Sequence, residues 1–248
     1  MATQTGILGL RGTVGGLVFR SDGSVSQKPP SSKGAFNTAA SRVRTRENAS
    51  EFGRSANYGK LLRDALRVPI NSASDSRVTS RLTKVMREVI GLDDTNDRGK
   101  RVFDSTNSAP LLGFDFNANS GIGQTMFFPF EVTGSGAEVT MSIPSLNALT
   151  DIAAPQGATH YELVFAAASL DMEVLTFTNA VVTAPLGILP LNGAAQTGLA
   201  QVATFAVTPP DADLVVGVVG INFYQELNGK FYSLNNNTTN PLAIKYVA

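Results

Sequence analysis

The charge of this chain changes sign part-way along it, and the texture of the sequence changes at the same place. Residues 1–104 carry 18 Arg and Lys against 10 Asp and Glu, a net of +8. Residues 105–248 carry 2 Lys, no Arg and 10 Asp and Glu, a net of −8. The formal net charge of zero is therefore a cancellation. The first part reads as a glycine-rich start followed by helices, the second as strands, turns and prolines. Such a shift marks a boundary, placed within TNDRGKRVFDSTNSAP near Asp104. Three regions are expected: an extended arm with a hairpin at 1–35, a basic helical region at 36–104, and an acidic β-sandwich at 105–248. The fold class is α+β: an N-terminal arm with a β-hairpin, a basic helical hairpin, and a C-terminal antiparallel β-sandwich.

Composition supports a folded chain. It has 248 residues, 43% hydrophobic and 16% charged, enough to bury a sizeable core. Its 23 Gly and 12 Pro imply many turns. The absence of cysteine removes disulfides, thiolate metal sites and a cysteine nucleophile. The start, MATQTGILGLRGTVGGLVF, has no basic segment before its apolar residues and is broken by glycine, so no secretory signal is read there. No apolar run approaches the roughly 18 residues of a membrane span. The chain is expected to be made in the cytoplasm, with its final location open.

In the arm, GLVFR and VSQK flank SDGS, predicting a hairpin centred on Asp22-Gly23. A first helix is expected over about Thr38 to Arg67, with possible breaks at Gly53 or Gly59 and an end at Val68-Pro69. Tyr58, Leu61, Leu62, Ala65 and Leu66 fall on one side of it; Lys60, Arg63 and Arg67 fall on the other. If the helix is continuous, Arg42 and Arg46 join that basic side. Seven Arg and Lys lie between Arg42 and Arg67. SDSRVTSRLTKVMREVIG predicts a second helix, with Ser74 or Asp75 capping its start and Gly91 its end. Candidate strands are LLGFDFN, QTMFFPFEV, AEVTMSI, HYELVFAAA, MEVLTFT, AQVATFAV, DLVVGVVGINFYQEL, KFYSL and LAIKYV. Asn228-Gly229 predicts a two-residue hairpin turn between KFYSL and the strand before it.

The inventory for catalysis is thin. His160 is the single histidine, with no neighbouring nucleophile or orienting acid, and reads as a surface or small-pocket residue at a strand start. GILGLRGTVGG lacks the GK[ST] ending of a phosphate loop. LDDTND at 92–97 and DAD at 211–213 lack the ligand spacing of a calcium loop. Asp115, Glu138, Asp171 and Glu173 could supply a carboxylate pair, but nothing in the sequence sets two of them face to face. No catalytic, cofactor-binding or metal-ligating residue is assigned, and no cofactor is expected.

The segments TGILGLRGTVGGLVF, RTRENASEFGRSANYGKLLRDALR, SASDSRVTSRLTKVM and GINFYQELNGKFYSL carry a resemblance. By them the chain resembles a family of uncharacterised proteins widespread in Bacteroidota, with RTRENASEFG the most distinctive element. The resemblance covers most of the chain and implies a bacterial origin. It brings no established activity and no functional residues.

A basic half and an acidic half can pair within one molecule or between copies, the latter giving rings or filaments. The leading expectation is a non-enzymatic structural subunit that assembles with other copies of itself into a filament, tube or shell, phage-related or extracellular. Arg42, Arg46, Lys60, Arg63 and Arg67 are the expected contacts to an acidic partner, and the arm adds to a neighbour. The alternatives are a nucleic-acid or acidic-partner binder using the same five residues, and a surface adhesin or glycan-binding module.

Overall fold

The computed structural model describes residues 2–3, 10–28, 33–73, 75–135, 138–182, 186–205, 213–234 and 238–248. Ser74, Asp211 and the glycines of GILG lie outside the described residues. The chain is mixed α+β with a β-rich C-terminal half. It divides into two compact units, Met1–Glu47 and Asn48–Ala248. The sign change near Asp104 falls inside the second unit, where Phe103 and Leu111 share one apolar cluster with helices and strands alike.

In the first unit, β1 (Ala2–Thr3), β2 (Gly12–Val14), β3 (Leu17–Phe19) and β4 (Ser24–Gln27) form an antiparallel sheet in the order β1-β4-β3-β2. The expected hairpin at Asp22-Gly23 is present. The Asp22 carboxylate accepts from the Ser24 amide at 2.9 Å and the Ser24 hydroxyl at 2.6 Å. A second hairpin, β2–β3, turns at Gly15-Gly16, both at positive φ; the pair suits a two-residue turn. Helix α1 (Lys33–Thr38) and one 3-10 turn (Ala40–Arg42) lead into α2 (Val43–Ala65). None of the described side chains of Leu10–Glu47 is buried.

Helix α2 runs unbroken through Gly53 and Gly59. It ends at Ala65 and not at Pro69: a short α3 (Arg67–Ser72) follows at once, with Pro69 in its first turn, where a missing N–H costs little. Helix α4 spans Val78–Gly91. Its start is held by Asp75, whose carboxylate accepts from the Arg77 amide at 2.6 Å. Gly91 is the last helical residue and does not act as the cap: Leu92 takes that place in right-handed conformation.

Beyond α4, short helices α5 (Ile122–Thr125) and α6 (Ala148–Asp151) sit between strands. Strands β5 (Glu131–Ser135), β6 (Glu138–Leu146) and β10 (Gln196–Thr204) form a sheet in the order β10-β6-β5. Among the described residues the larger sheet has six strands, in the order β12-β11-β7-β8, with β13 also on β11 and β9 on β7. They are β7 (His160–Asp171), β8 (Thr176–Val182), β9 (Leu189–Pro190), β11 (Leu214–Leu227), β12 (Lys230–Ser233) and β13 (Leu242–Val247). All pairings are antiparallel. LLGFDFN, expected as a strand, reaches β13 through one bridge, Asp115 opposite Ala243. Most of QTMFFPFEV is α5 and irregular chain, with only its last two residues in β5. The Asn228-Gly229 turn joins β11 and β12 as expected, with φ 52° and 73°.

The central strands of the larger sheet, β7 and β11, are buried on both faces along most of their length. Ala166, Ala168 and Leu170 of β7 and Leu214, Val216 and Val218 of β11 face α2, α3 and α4. Their alternates, Tyr161, Leu163 and Phe165 with Val219, Ile221 and Phe223, face the three-stranded sheet. The period of two in a strand sends neighbours to opposite sides, so one strand pair serves two cores. Strand β13 keeps both cores filled through an irregularity. Val218 pairs with Ile244 and Gly217 with Tyr246, leaving Lys245 as an extra residue. Side-chain parity inverts there: Leu242 and Ile244 face the helices, while Tyr246 packs on the other core. The outer strands β10 and β5 lie near β8 and β13 respectively, so the sheets curl toward each other.

The β11–β13 approach leaves no room at Gly220, where a Cβ would lie 2.6 Å from the Pro241 carbonyl oxygen and 2.9 Å from Leu242 Cδ1. Gly220→Ala should therefore cost about 1–3 kcal/mol. Gly53→Ala, on an open helix surface, should instead stabilise by about 0.5–1 kcal/mol. Urea unfolding of the two variants against wild type checks both signs.

Candidate functional site

Helices α2 and α4 carry eight of the 20 Arg and Lys residues, and several turn inward. Glu51 of α2 is fully buried. It pairs with Arg87 of α4 at 2.5 Å and accepts from the Gly99 amide at 2.7 Å. A buried carboxylate persists only when paired and hydrogen-bonded, so this pair locks the two helices and the following loop together. Arg81 forms a second lock. Its guanidinium meets Asp75, donates to the carbonyls of Asp115 at 2.6 Å and Phe116 at 3.0 Å, and lies 5.0 Å from the Phe114 ring centre. Burial alone would raise the Asp75 pKa. The amides of Ala118 and Arg77 and the Arg81 charge outweigh it and hold Asp75 below the usual carboxylate range.

The LDDTND segment, weighed as a calcium loop, is a structural turn. Asp93 accepts from the amides of Val102, Asn96 and Thr95, each at 3.0 Å, and from the Asn96 side chain at 2.9 Å. The Val102 amide leads the lowering of its pKa to about 2. Those donors occupy the carboxylate that a cation would need. Arg54 of α2 closes the same loop by donating to the Arg101 carbonyl at 2.6 Å.

The five basic residues singled out by sequence separate into two groups. Arg46 is half-buried and internal to the first unit: it donates to the carbonyls of Phe36 at 2.8 Å and Ala39 at 2.9 Å, satisfying acceptors that the end of α1 leaves open. Among the described residues, Arg42, Lys60, Arg63 and Arg67 have no hydrogen-bond or ion-pair partner for their side chains. Arg42, Lys60 and Arg67 are exposed and Arg63 is half-buried. The ion pairs of α4 and the loop after it, Arg81–Asp75, Lys84–Glu88, Arg87–Glu51 and Lys100–Asp97, all stay on the basic side of the chain.

Between α2 and α4 runs a groove of about 610 Å³, lined by Phe52, Ala56, Ser80, Thr83, Lys84 and Arg87. Phe52 is 60% exposed within it. Sequence reading did not foresee this groove; an apolar Phe52 beside Ala56 on an otherwise polar helix face was its only signal. A smaller cavity of about 380 Å³ lies among Arg54, Tyr58, Phe103, Met172, Glu173 and Asp213. Burial pushes the Tyr58 hydroxyl above its ordinary value. Nearby, the β7–β8 turn projects Val174, 67% exposed, and Leu175, 42% exposed and at φ +62°. The Asp171 carboxylate holds the turn by accepting from the amides of Glu173 and Val174 at 2.9 and 2.8 Å.

His160 opens β7, half-buried as expected, in a small polar cluster. It contacts the Thr159 hydroxyl at 2.9 Å and Glu226 at 3.5 Å, and its ring lies 4.9 Å from that of Phe231. Beside it, Tyr224 donates to Glu162 at 2.7 Å; burial and then that carboxylate push the tyrosine up to about 12. The four carboxylates weighed for catalysis sit on separate elements, apart from Asp171 and Glu173, which share the β7–β8 turn. Among the described residues no group of three or more His, Asp or Glu side chains could hold a metal ion. No described helix is long and apolar enough to cross a membrane. No family model, curated protein or solved structure matches the chain.

Two outcomes are expected. Glu51→Ala strands Arg87 and the Gly99 amide, and should cost about 3 kcal/mol or more in urea unfolding. The lowered pKa of Asp93 means its contribution is complete above the unfolded-state value near 4 and fades as pH falls through about 2. Asp93→Asn should therefore lower the urea midpoint at pH 7 and narrow its gap to wild type at pH 2.5.

Proposed function

We propose that this protein is a structural subunit that assembles with copies of itself into a polymer, through its N-terminal unit and through complementary basic and acidic surfaces. One observation carries the reading. The unit Met1–Glu47 builds a sheet of very short strands, yet none of its described side chains is buried, and Leu10, Val14 and Leu17 stand exposed. Short strands without a buried face are marginal in water, and a partner surface that covers them supplies what the unit lacks.

Charge supports the same reading. Residues 1–47 carry 7 Arg and Lys against 2 Asp and Glu, whereas residues 105–248 have a net charge of −8. Such opposite surfaces speed and orient encounter between copies. Arg42, Lys60, Arg63 and Arg67, whose side chains have no partner among the described residues, also favour a second reading, contact with a nucleic acid or another polyanion.

The full-length double variant Leu10→Asp/Leu17→Asp should leave the thermal midpoint within a few degrees of wild type and reduce self-association at least tenfold by sedimentation velocity. A wild-type chain that stays monomeric at high concentration and moderate salt removes the assembly reading. Retention of an oligonucleotide at low salt, falling steeply as salt rises, would move the weight to the second reading.

A further inference from the structure

Resting on the assembly reading, we propose that the α2–α4 groove is the socket for the β7–β8 turn of a second copy of this chain. The groove offers an apolar floor at Phe52 and Ala56 and a basic rim at Lys84 and Arg87. Lys84 is 79% exposed, and Arg87 keeps 31% of its side chain at the surface although it pairs with Glu51. The turn offers the complement: exposed Val174 and Leu175 follow Glu173 in the loop between the paired residues Asp171 and Thr176. Its shape is set in advance by the two Asp171 hydrogen bonds. Leu175 holds a left-handed backbone that a leucine rarely adopts, and 42% of it is exposed. Strain of that kind persists where a site uses it.

The turn fills the groove of a neighbour and not its own. Leu175 borders Asn57, Lys60, Leu61 and Asp64 of α2. These residues lie about a third of a turn round the helix from Phe52 and Ala56. Two different patches on one protomer, each fitting the other, make a head-to-tail contact that propagates until it closes or becomes a filament. The basic N-terminal unit is a poorer occupant, because Lys84 and Arg87 repel its charge. A single turn in a groove buries less than a stable interface needs. The socket therefore sets direction and register, while the N-terminal unit supplies further area.

The test uses two full-length variants, both altered only at exposed positions. Val174→Arg/Leu175→Gly removes the plug, and Phe52→Arg blocks the socket. Each alone should lower association at least tenfold in sedimentation velocity, with circular dichroism unchanged and a thermal midpoint no lower than that of wild type. An equal mixture should form a discrete dimer, because one intact plug then meets one intact socket and growth stops there. Should either variant assemble like wild type, or the mixture yield no dimer, the proposal is overturned. If the Leu10→Asp/Leu17→Asp chain is impaired in the same assay, the assembly reading still stands. A wild-type chain that does not associate overturns both.

Discussion

The rest of the second unit depends on the long antiparallel pairing of β7 with β11. Their register runs from Leu214 opposite Leu170 to Tyr224 opposite His160. Along most of that length both faces are apolar, so both must be covered. Burying apolar surface is the dominant favourable term in folding, and one ladder generates that demand twice. The helices α2, α3 and α4 cover one face and the three-stranded sheet the other. The extra residue at Lys245 is the adjustment that lets β13 feed both cores.

Polar locks give this packing a single arrangement. Glu51–Arg87 fixes α2 against α4, and Arg81–Asp75 ties α4 to the Phe114–Phe116 segment that lies along β13. Near the far end of the sheet, the buried Asn240 side chain donates to the Ser72 carbonyl at 2.9 Å and accepts from the Phe223 amide at 3.2 Å, joining the end of α3 to β11. Groups so placed are costly unless every partner is present. Alternative packings of the apolar faces would leave these groups unsatisfied. With the helical layer held in this way, the groove at Phe52 has a defined shape.

The same locks change the meaning of the positive charge. Arg46 and Arg87 are used by carbonyls and a buried carboxylate inside the basic part of the chain, and Arg81 by Asp75 there and by the carbonyls of Asp115 and Phe116 beyond Asp104. Among the described residues, the side chains of Arg42, Lys60, Arg63 and Arg67 meet no such partner. The basic stretch is thus part scaffold and part surface. A helical wheel separates these roles poorly, because Arg46 is used by a carbonyl end that precedes it and Arg87 by a glutamate a helix away.

By itself the sequence determined the local elements whose cause is local. Asp22-Gly23 and Asn228-Gly229 make their turns because those residues tolerate or stabilise the required backbone, and the apolar stripe of Val78, Leu82, Val89 and their neighbours makes α4. The mixed α+β class followed from the same signals. Only the tertiary structure decided that the helices and strands share one core across Asp104. It also decided that LLGFDFN gives its backbone to Arg81 and β13, and that Phe52 lines an open groove. Those outcomes turn on partners far apart in sequence. Arg81 reaches Asp115, Glu51 reaches Gly99 and Asn240 reaches Ser72. A buried charge or amide goes where its partner is, and periodicity in one segment carries no record of where that is.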